Sequence, residues 1–309
     1  MLLALEPLVL LFTPKTRENQ TFMTNKVAIV TDTTACIPKE QVKKYHIEVV
    51  PIEFIFGEKS YRDGIDMSPT EFYVRLRQAK KLPTTSTTSP GPNMEAYLRA
   101  SQKASKILHI TPPFKLSGIF NSAHLAVKMA KEVLPNVAIE VLDCGTAAAA
   151  QGLVVLAAAR AAASGKSLAE VVEVAKSVMG RVNLFATLDT LKYLVKGGRV
   201  PKAAALAGSL LRIKPIFTIS AGDAHPVTNA RTNNGATKRL LEIMEQKIAD
   251  GQPLHVAVMH ADAPDRAEEL VDEISSRFGC AELFITEFTP VMGVHTGPGV
   301  IGVAFYGGD

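Results

Sequence analysis

Three short strand-like runs constrain the fold more than any other feature of this chain. They are Val27–Thr31, Ile107–Ile110 and Val137–Leu142, ending at Asp32, Thr111 and Asp143. The first, VAIVT, is a short continuous apolar run, as expected of a strand covered on both faces, and Ile107–Ile110 reads as another buried strand. Each run leads into a helical pattern, at Lys39–Tyr45, Ile119–Val133 and Ala147–Ala163. Strand, helix, strand, helix is the grammar of a parallel sheet with right-handed crossovers. In such sheets ligands bind beyond the carboxyl ends of the strands. Asp32–Thr34, Thr111 and the start of the Ile119 helix are therefore expected near one crevice.

Between these runs, Ile47–Phe56 with the turn-like Gly57–Gly64 reads as a strand or hairpin. Ser68, Pro69 and Glu71 stand as N-cap, first-turn proline and N3 acid of a helix reaching about Gln78. Pro83–Pro92, PTTSTTSPGP, reads as a loop, either a polar linker or a hydroxyl-rich wall around a polar ligand. A helix is expected over Asn93–Lys106. The helix Ala147–Ala163 is crowded with alanines; Gln151 and Arg160 interrupt it and it is too short to span a bilayer.

A second pattern begins after Gly165. A helix over Leu168–Met179 is followed by strands at Val182–Thr187, Ile213–Ile219, Ala224–Ala230, Leu254–His260, Ala281–Thr286 and Val300–Tyr306. Helices are expected at Asp189–Val195, Pro201–Leu210, Gly235–Ala249 and Pro264–Phe278, and Ala221-Gly222-Asp223 reads as a hairpin turn. The expected fold is thus α/β with two domains, a parallel three-layer α/β/α domain over 24–166 and a mixed-sheet α/β domain over 167–309. Residues 1–23 are expected to be an N-terminal extension, with Met23 the start, because MTNKVAIVTD runs straight into the first strand.

Composition narrows the function classes. Net charge is +4 with lysines and arginines scattered, so no basic element favours nucleic acid. Cys36, Cys144 and Cys280 are far apart, without metal-ligand spacing, which fits a reducing cytoplasm. His255 and His260 are five apart in a strand, on opposite faces, and do not chelate. No G-x-G-x-x-G follows a strand, no Gly-Lys-Ser/Thr occurs, and Ser117 lacks the G-x-S-x-G frame.

Three features remain as candidate site residues. Gly197-Gly198 precede Arg199, and can aim its guanidinium at a carboxylate or phosphate; equally, the glycines can be a helix C-cap and Arg199 a solvated charge. Ser117 and Gly118 open the Ile119 helix, where Ser117 is either an ordinary N-cap or a hydroxyl beside an anion. His295 lies between strand-like runs beside Gly297-Pro298-Gly299 and can donate to a carboxylate or act as a base.

Together, VAIVTDTTACIP (27–38), PTTSTTSP (83–90), LSGIFNSA (116–123), VLDCGTAAAAQG (141–152), LKYLVKGGRV (191–200), GSLLRIKPIF (208–217) and VHTGPGVIG (294–302) resemble the DegV family of bacterial fatty-acid-binding proteins. The resemblance implies a cytoplasmic protein, not itself an enzyme and without cofactor, that holds a long-chain fatty acid in a buried tunnel. It implies that the carboxylate is presented to a separate fatty acid kinase and phosphorylated for phospholipid synthesis. Neither nucleic acid nor an integral membrane span is expected; transient membrane contact is compatible with this role. Carried over residue by residue, the carboxylate site is Thr85, Ser117, Gly118, Arg199 and His295. The competing class is a small-molecule enzyme, a kinase lobe or hydrolase, using Ser117 or His295.

Overall fold

The computed structural model describes residues 26–86, 89–200, 213–248 and 251–308. The expected N-terminal extension and the helix expected at 201–210 lie outside the described residues.

The three strand-like runs form one sheet. Strand β1 (Val27–Asp32) is flanked by β2 (Glu48–Val50) and β6 (Lys106–Thr111), and β7 (Ala138–Asp143) lies beyond β6, all parallel. Helices α3 (Pro90–Ser101) and α4 (Ile119–Val133) cover one face. On the other lies α5 (Ala148–Ala163), followed by α6 (Leu168–Met179). The spatial order β2-β1-β6-β7 means that the chain turns to one side of β1 and then crosses to the other. The crevice outside the carboxyl ends of β1 and β6 is therefore the topological switch point, where open α/β sheets bind ligands.

The second sheet is six-stranded and mixed. Its order is β10 (Asp223–Ala230), β9 (Lys214–Ser220), β8 (Asn183–Thr187), β13 (Ile301–Gly307), β11 (Leu254–His260), β12 (Cys280–Glu287). Only β11 and β12 pair in parallel. Helices α8 (Asn233–Lys247) and α9 (Pro264–Arg277) pack on its outer face. The fold is therefore the expected two-domain α/β arrangement, a parallel sheet followed by a mixed one.

Helix α5 lies between the two sheets, touching β1 and β6 on one side and β8, β11 and β13 on the other. This position explains its composition. Leu153, Val154, Val155 and Leu156 are consecutive and all buried, so the helix has no solvent face. Small side chains let it approach closely: a Cβ on Gly152 would come within 2.6 Å of the Ala35 carbonyl. Gln151 is buried in a polar knot. Its Nε2 donates to Thr31 Oγ1 at 3.2 Å and to Asp32 Oδ2 at 3.3 Å, and its Oε1 accepts from the Thr34 hydroxyl at 3.0 Å. Burial pushes the Asp32 carboxyl up to about 6, against the bonds from Thr34 and Gln151 that favour the anion.

Four expectations change in the structure. Within Pro83–Pro92, Thr84–Thr85 is a short strand, β5, which pairs with β3 (Glu53–Phe56); β3 also pairs with β4 (Lys59–Arg62), giving a small third sheet. Pro90 to Pro92 already form the first turn of α3, so that helix starts three residues early and ends at Ser101, freeing Lys106 for β6. The 189–195 helix begins at Lys192 instead, as α7 (Lys192–Gly197), where the Thr190 hydroxyl accepts from the Lys192 N–H at 3.2 Å. His295, expected between strand-like runs, lies in helix α10 (Pro290–Thr296). Helix α2 (Pro69–Gln78) forms as expected, with Ser68 Oγ accepting from the Glu71 N–H at 3.2 Å. The remaining short helix, α1 (Lys39–Lys44), follows β1.

Candidate ligand-binding cavity

A cavity of about 150 Å³ lies at the switch point, where the two domains meet. All five candidate residues line it: Thr85, Ser117, Gly118, Arg199 and His295. They come from four segments. Thr85 is held in β5 by its pairing with Phe54. Ser117 and Gly118 close the turn from β6 into α4. Arg199 follows α7, and His295 sits on α10. Apolar side chains supply most of the remaining wall, among them Ile52, Leu116, Ile119, Leu194, Ile219 and Val291. Arg199 brings a formal positive charge, and among the described residues no Asp or Glu lines the cavity. The arrangement favours a ligand with an anionic end and an apolar body.

Arg199 is exposed, and its Nη1 donates to the Gly197 carbonyl at 2.7 Å. Among the described residues it has no acidic partner, so its charge is available to the cavity. Ser117 is not the N-cap of α4; Gly118 holds that position, without a side-chain cap. The Ser117 hydroxyl instead accepts from the Ile119 N–H at 3.4 Å. Its O–H can still be donated into the cavity.

His295 Nε2 lies 3.2 Å from Thr85 Oγ1, while its Nδ1 is buried without a hydrogen-bond partner. Burial, then the positive charge of Arg199, pushes its pKa down to about 4. The ring is therefore neutral at pH 7 and has one N–H to give. The described contacts pair His295 with Thr85 rather than with Ser117. Of the other residues expected at the crevice, Thr34 lines the cavity. Asp32 stands behind it, and the buried Thr111 side chain turns to the Leu142 carbonyl at 3.4 Å.

A family description, "Uncharacterised protein, DegV family", matches residues 26–307. The chain belongs to the DegV family. A DegV domain-containing protein of Streptomyces coelicolor is 36% identical over 283 residues, covering 91% of this chain and 98% of its own. Among solved structures, one described as showing fatty acid binding of a DegV family protein from Thermus thermophilus superposes with a TM-score of 0.84 at 28% identity, over 91% of this chain and 99% of that one. A stearic acid-binding protein from Eubacterium ventriosum gives 0.82 at 26% identity, over 91% and 98%.

The glycines in the DegV motifs have physical reasons in this fold. Gly198 adopts a left-handed φ of 69° and caps α7, its N–H bonded to the Leu194 carbonyl. Gly197 is needed for space, because a Cβ there would lie 2.8 Å from His295 Nδ1. Gly297 combines both needs, with φ of 70° and the Tyr193 ring against it. Gly293 rests on Phe72 and Tyr73, so α10 is wedged between α2 and α7.

Met292 and Thr296 line the cavity beside the candidate His295. Met292, His295 and Thr296 share one face of α10 at helical spacing, a relation that a position between strand-like runs does not reveal. Thr34 was placed near the crevice but not among the site residues. Its signal was the Asp32-Thr33-Thr34 sequence at the end of a buried strand, at the switch point.

No helix among the described residues is long and apolar enough to cross a membrane. The described residues contain no group of three or more His, Cys, Asp or Glu placed to hold a metal ion.

Proposed function

We propose that this protein carries one long-chain fatty acid. Arg199 supplies the charge for its carboxylate. Ser117 and Thr85 offer hydroxyls, Gly118 a backbone N–H, and His295 a neutral imidazole N–H. The acyl chain follows the apolar wall, where each buried methylene contributes about 0.8 kcal/mol. The observation that carries this reading is the makeup of the cavity: Arg199 at one place, no acid among the described residues, and an otherwise largely apolar lining. The fatty-acid-bound relatives of the same fold support it.

The finer reading is that the bound carboxylate is handed to a separate fatty acid kinase in the cytoplasm and phosphorylated for phospholipid synthesis. The exposure of Arg199 supports it, since a carboxylate held there stays within reach of a second protein. The first test is denaturing extraction of the purified protein followed by mass spectrometry. One equivalent of a long-chain fatty acid is expected. A protein that is empty and takes up no added fatty acid overturns the carrier reading. For the kinase step, acyl phosphate should form only when loaded protein, kinase and ATP are combined. Acyl phosphate or ATPase activity from this protein alone would return the assignment to an enzyme.

A further inference from the structure

A second cavity, of about 600 Å³, lies on the far side of the β1 terminus from the first. The two share no lining residue but share a wall. Thr33, Pro51 and Pro290 face the second cavity, while their chain neighbours Thr34, Ile52 and Val291 face the first. Its size falls in the range of small-molecule sites, about 300–1,000 Å³. Much of its surface is apolar, including Ile37 before α1, Val42 on α1, Val49 on β2 and Met67 before α2.

The two cavities differ in charge. Where the first has Arg199 and, among the described residues, no acid, the second is lined by Asp32, Asp63 and Glu287. Its lysines, Lys39 and Lys43, are exposed residues of α1. Asp63 is fully buried; its Oδ1 accepts from the Val291 N–H at 3.4 Å, the nearby Thr33 and Thr289 hydroxyls favour its anion, and its Oδ2 has no donor within hydrogen-bond distance. A buried carboxylate oxygen without a donor is costly, so the site favours a molecule that brings one. Asp32 differs, because Thr34 and Gln151 already satisfy it.

We propose that this cavity is a second ligand site, which takes a small molecule with an apolar body and a protonated amine, the amine pairing with Oδ2 of Asp63. A fatty-acid carboxylate is excluded from it by the same three acids. Because Asp63 also holds the Val291 N–H, an occupant would touch the start of α10, the helix that carries His295 in the first cavity.

The test is calorimetric titration of the full-length protein with n-octylamine, n-octanol and octanoate, which share an eight-carbon body and differ at the head. Octylamine is expected to bind about tenfold or more tightly than octanol, and octanoate not to compete with it. Asp63→Asn should weaken octylamine about tenfold while leaving octanol unchanged. Val42→Trp, which fills the cavity from α1, should abolish binding of both and leave fatty-acid loading intact; it decides the matter if Asp63→Asn does not fold. Absence of octylamine binding, competition by octanoate, or equal affinities in the wild type and Val42→Trp overturns the proposal. Loss in Val42→Trp without change in a folded Asp63→Asn overturns the amine recognition.

Discussion

The Cα of Gly197 faces the imidazole of His295 so closely that a Cβ would lie 2.8 Å from Nδ1. The two residues are nearly a hundred positions apart, on α7 and α10. Gly197→Ala must therefore move the ring, and with it the contact to Thr85. A shift of this kind costs about 1–3 kcal/mol. Reduced fatty-acid retention in a protein that still unfolds cooperatively is the expected outcome. Loading equal to wild type in extracted samples would show that the ring can move without consequence.

Arg199→Ala is expected to lose fatty acid while the fold stays intact, because the residue is exposed and supports no ion pair among the described residues. A hydrogen bond to a charged group contributes about 1.5–3 kcal/mol, a loss of about ten- to a hundredfold in affinity. Arg199→Lys should recover only part of this, since an ammonium lacks the planar fork that matches a carboxylate. Dissociation constants for a fluorescent fatty acid would check both. Unchanged affinity in the alanine variant counts against a role for Arg199.

Ser117→Ala separates two roles. The hydroxyl accepts from the Ile119 N–H at 3.4 Å, a long bond. If the O–H is also a buried donor to the carboxylate, its removal weakens binding by about 1–3 kcal/mol. A fall in thermal stability without a change in affinity would assign Ser117 to the turn alone.

Acid should destabilise the empty protein through His295. Its folded pKa is about 4, below the usual 6.5, so from pH 6.5 downward the unfolded chain takes up a proton that the fold refuses. Stability from this group is lost as pH falls between those values. Asp32 and Asp63 act oppositely: burial raises both to about 6, so the fold binds their protons first and gains stability as pH falls toward 3.8. The comparison with His295→Gln isolates the histidine, and its urea midpoints should fall less between pH 6.5 and 4. A bound carboxylate favours imidazolium, so added fatty acid should move the His295 titration upward by NMR. An identical pH profile in the variant would remove His295 from this account.

Gly152→Ala tests the close packing of α5. In an exposed helix this change stabilises by about 1 kcal/mol. Here the new Cβ would meet the Ala35 carbonyl oxygen at 2.6 Å, and that oxygen is backbone. A net destabilisation of about 1–3 kcal/mol is expected by urea unfolding. A stabilised protein would mean that the turn after β1 yields freely.

The sequence revealed those parts of the fold that depend on local pattern. The strand runs ending at Asp32, Thr111 and Asp143, the Ser68 cap and the Ile119–Val133 helix follow from apolar spacing and end chemistry, which the chain carries in neighbouring residues. The family motifs likewise pointed to Thr85, Ser117, Gly118, Arg199 and His295, all of which line one cavity. The segment around His295 misled because Val291, Val294 and Val300 favour strands. Its helix depends on Pro290 at the first turn and on the fit of Gly293 against Phe72 and Tyr73, which lie far away in sequence.

What the sequence alone determined was the α/β class, the succession of a parallel and a mixed sheet, and the identity of the candidate site residues. Tertiary structure alone decided that α5 lies between both sheets, that Thr85 is fixed by a short strand beside β3, and that His295 is neutral and faces Gly197. It also decided that two cavities of opposite charge share the wall at the end of β1. Periodicity and capping are set by residues a few positions apart and can be read along the chain. Burial, pKa and closest approach depend on distant segments meeting, and these appear only when the core is packed.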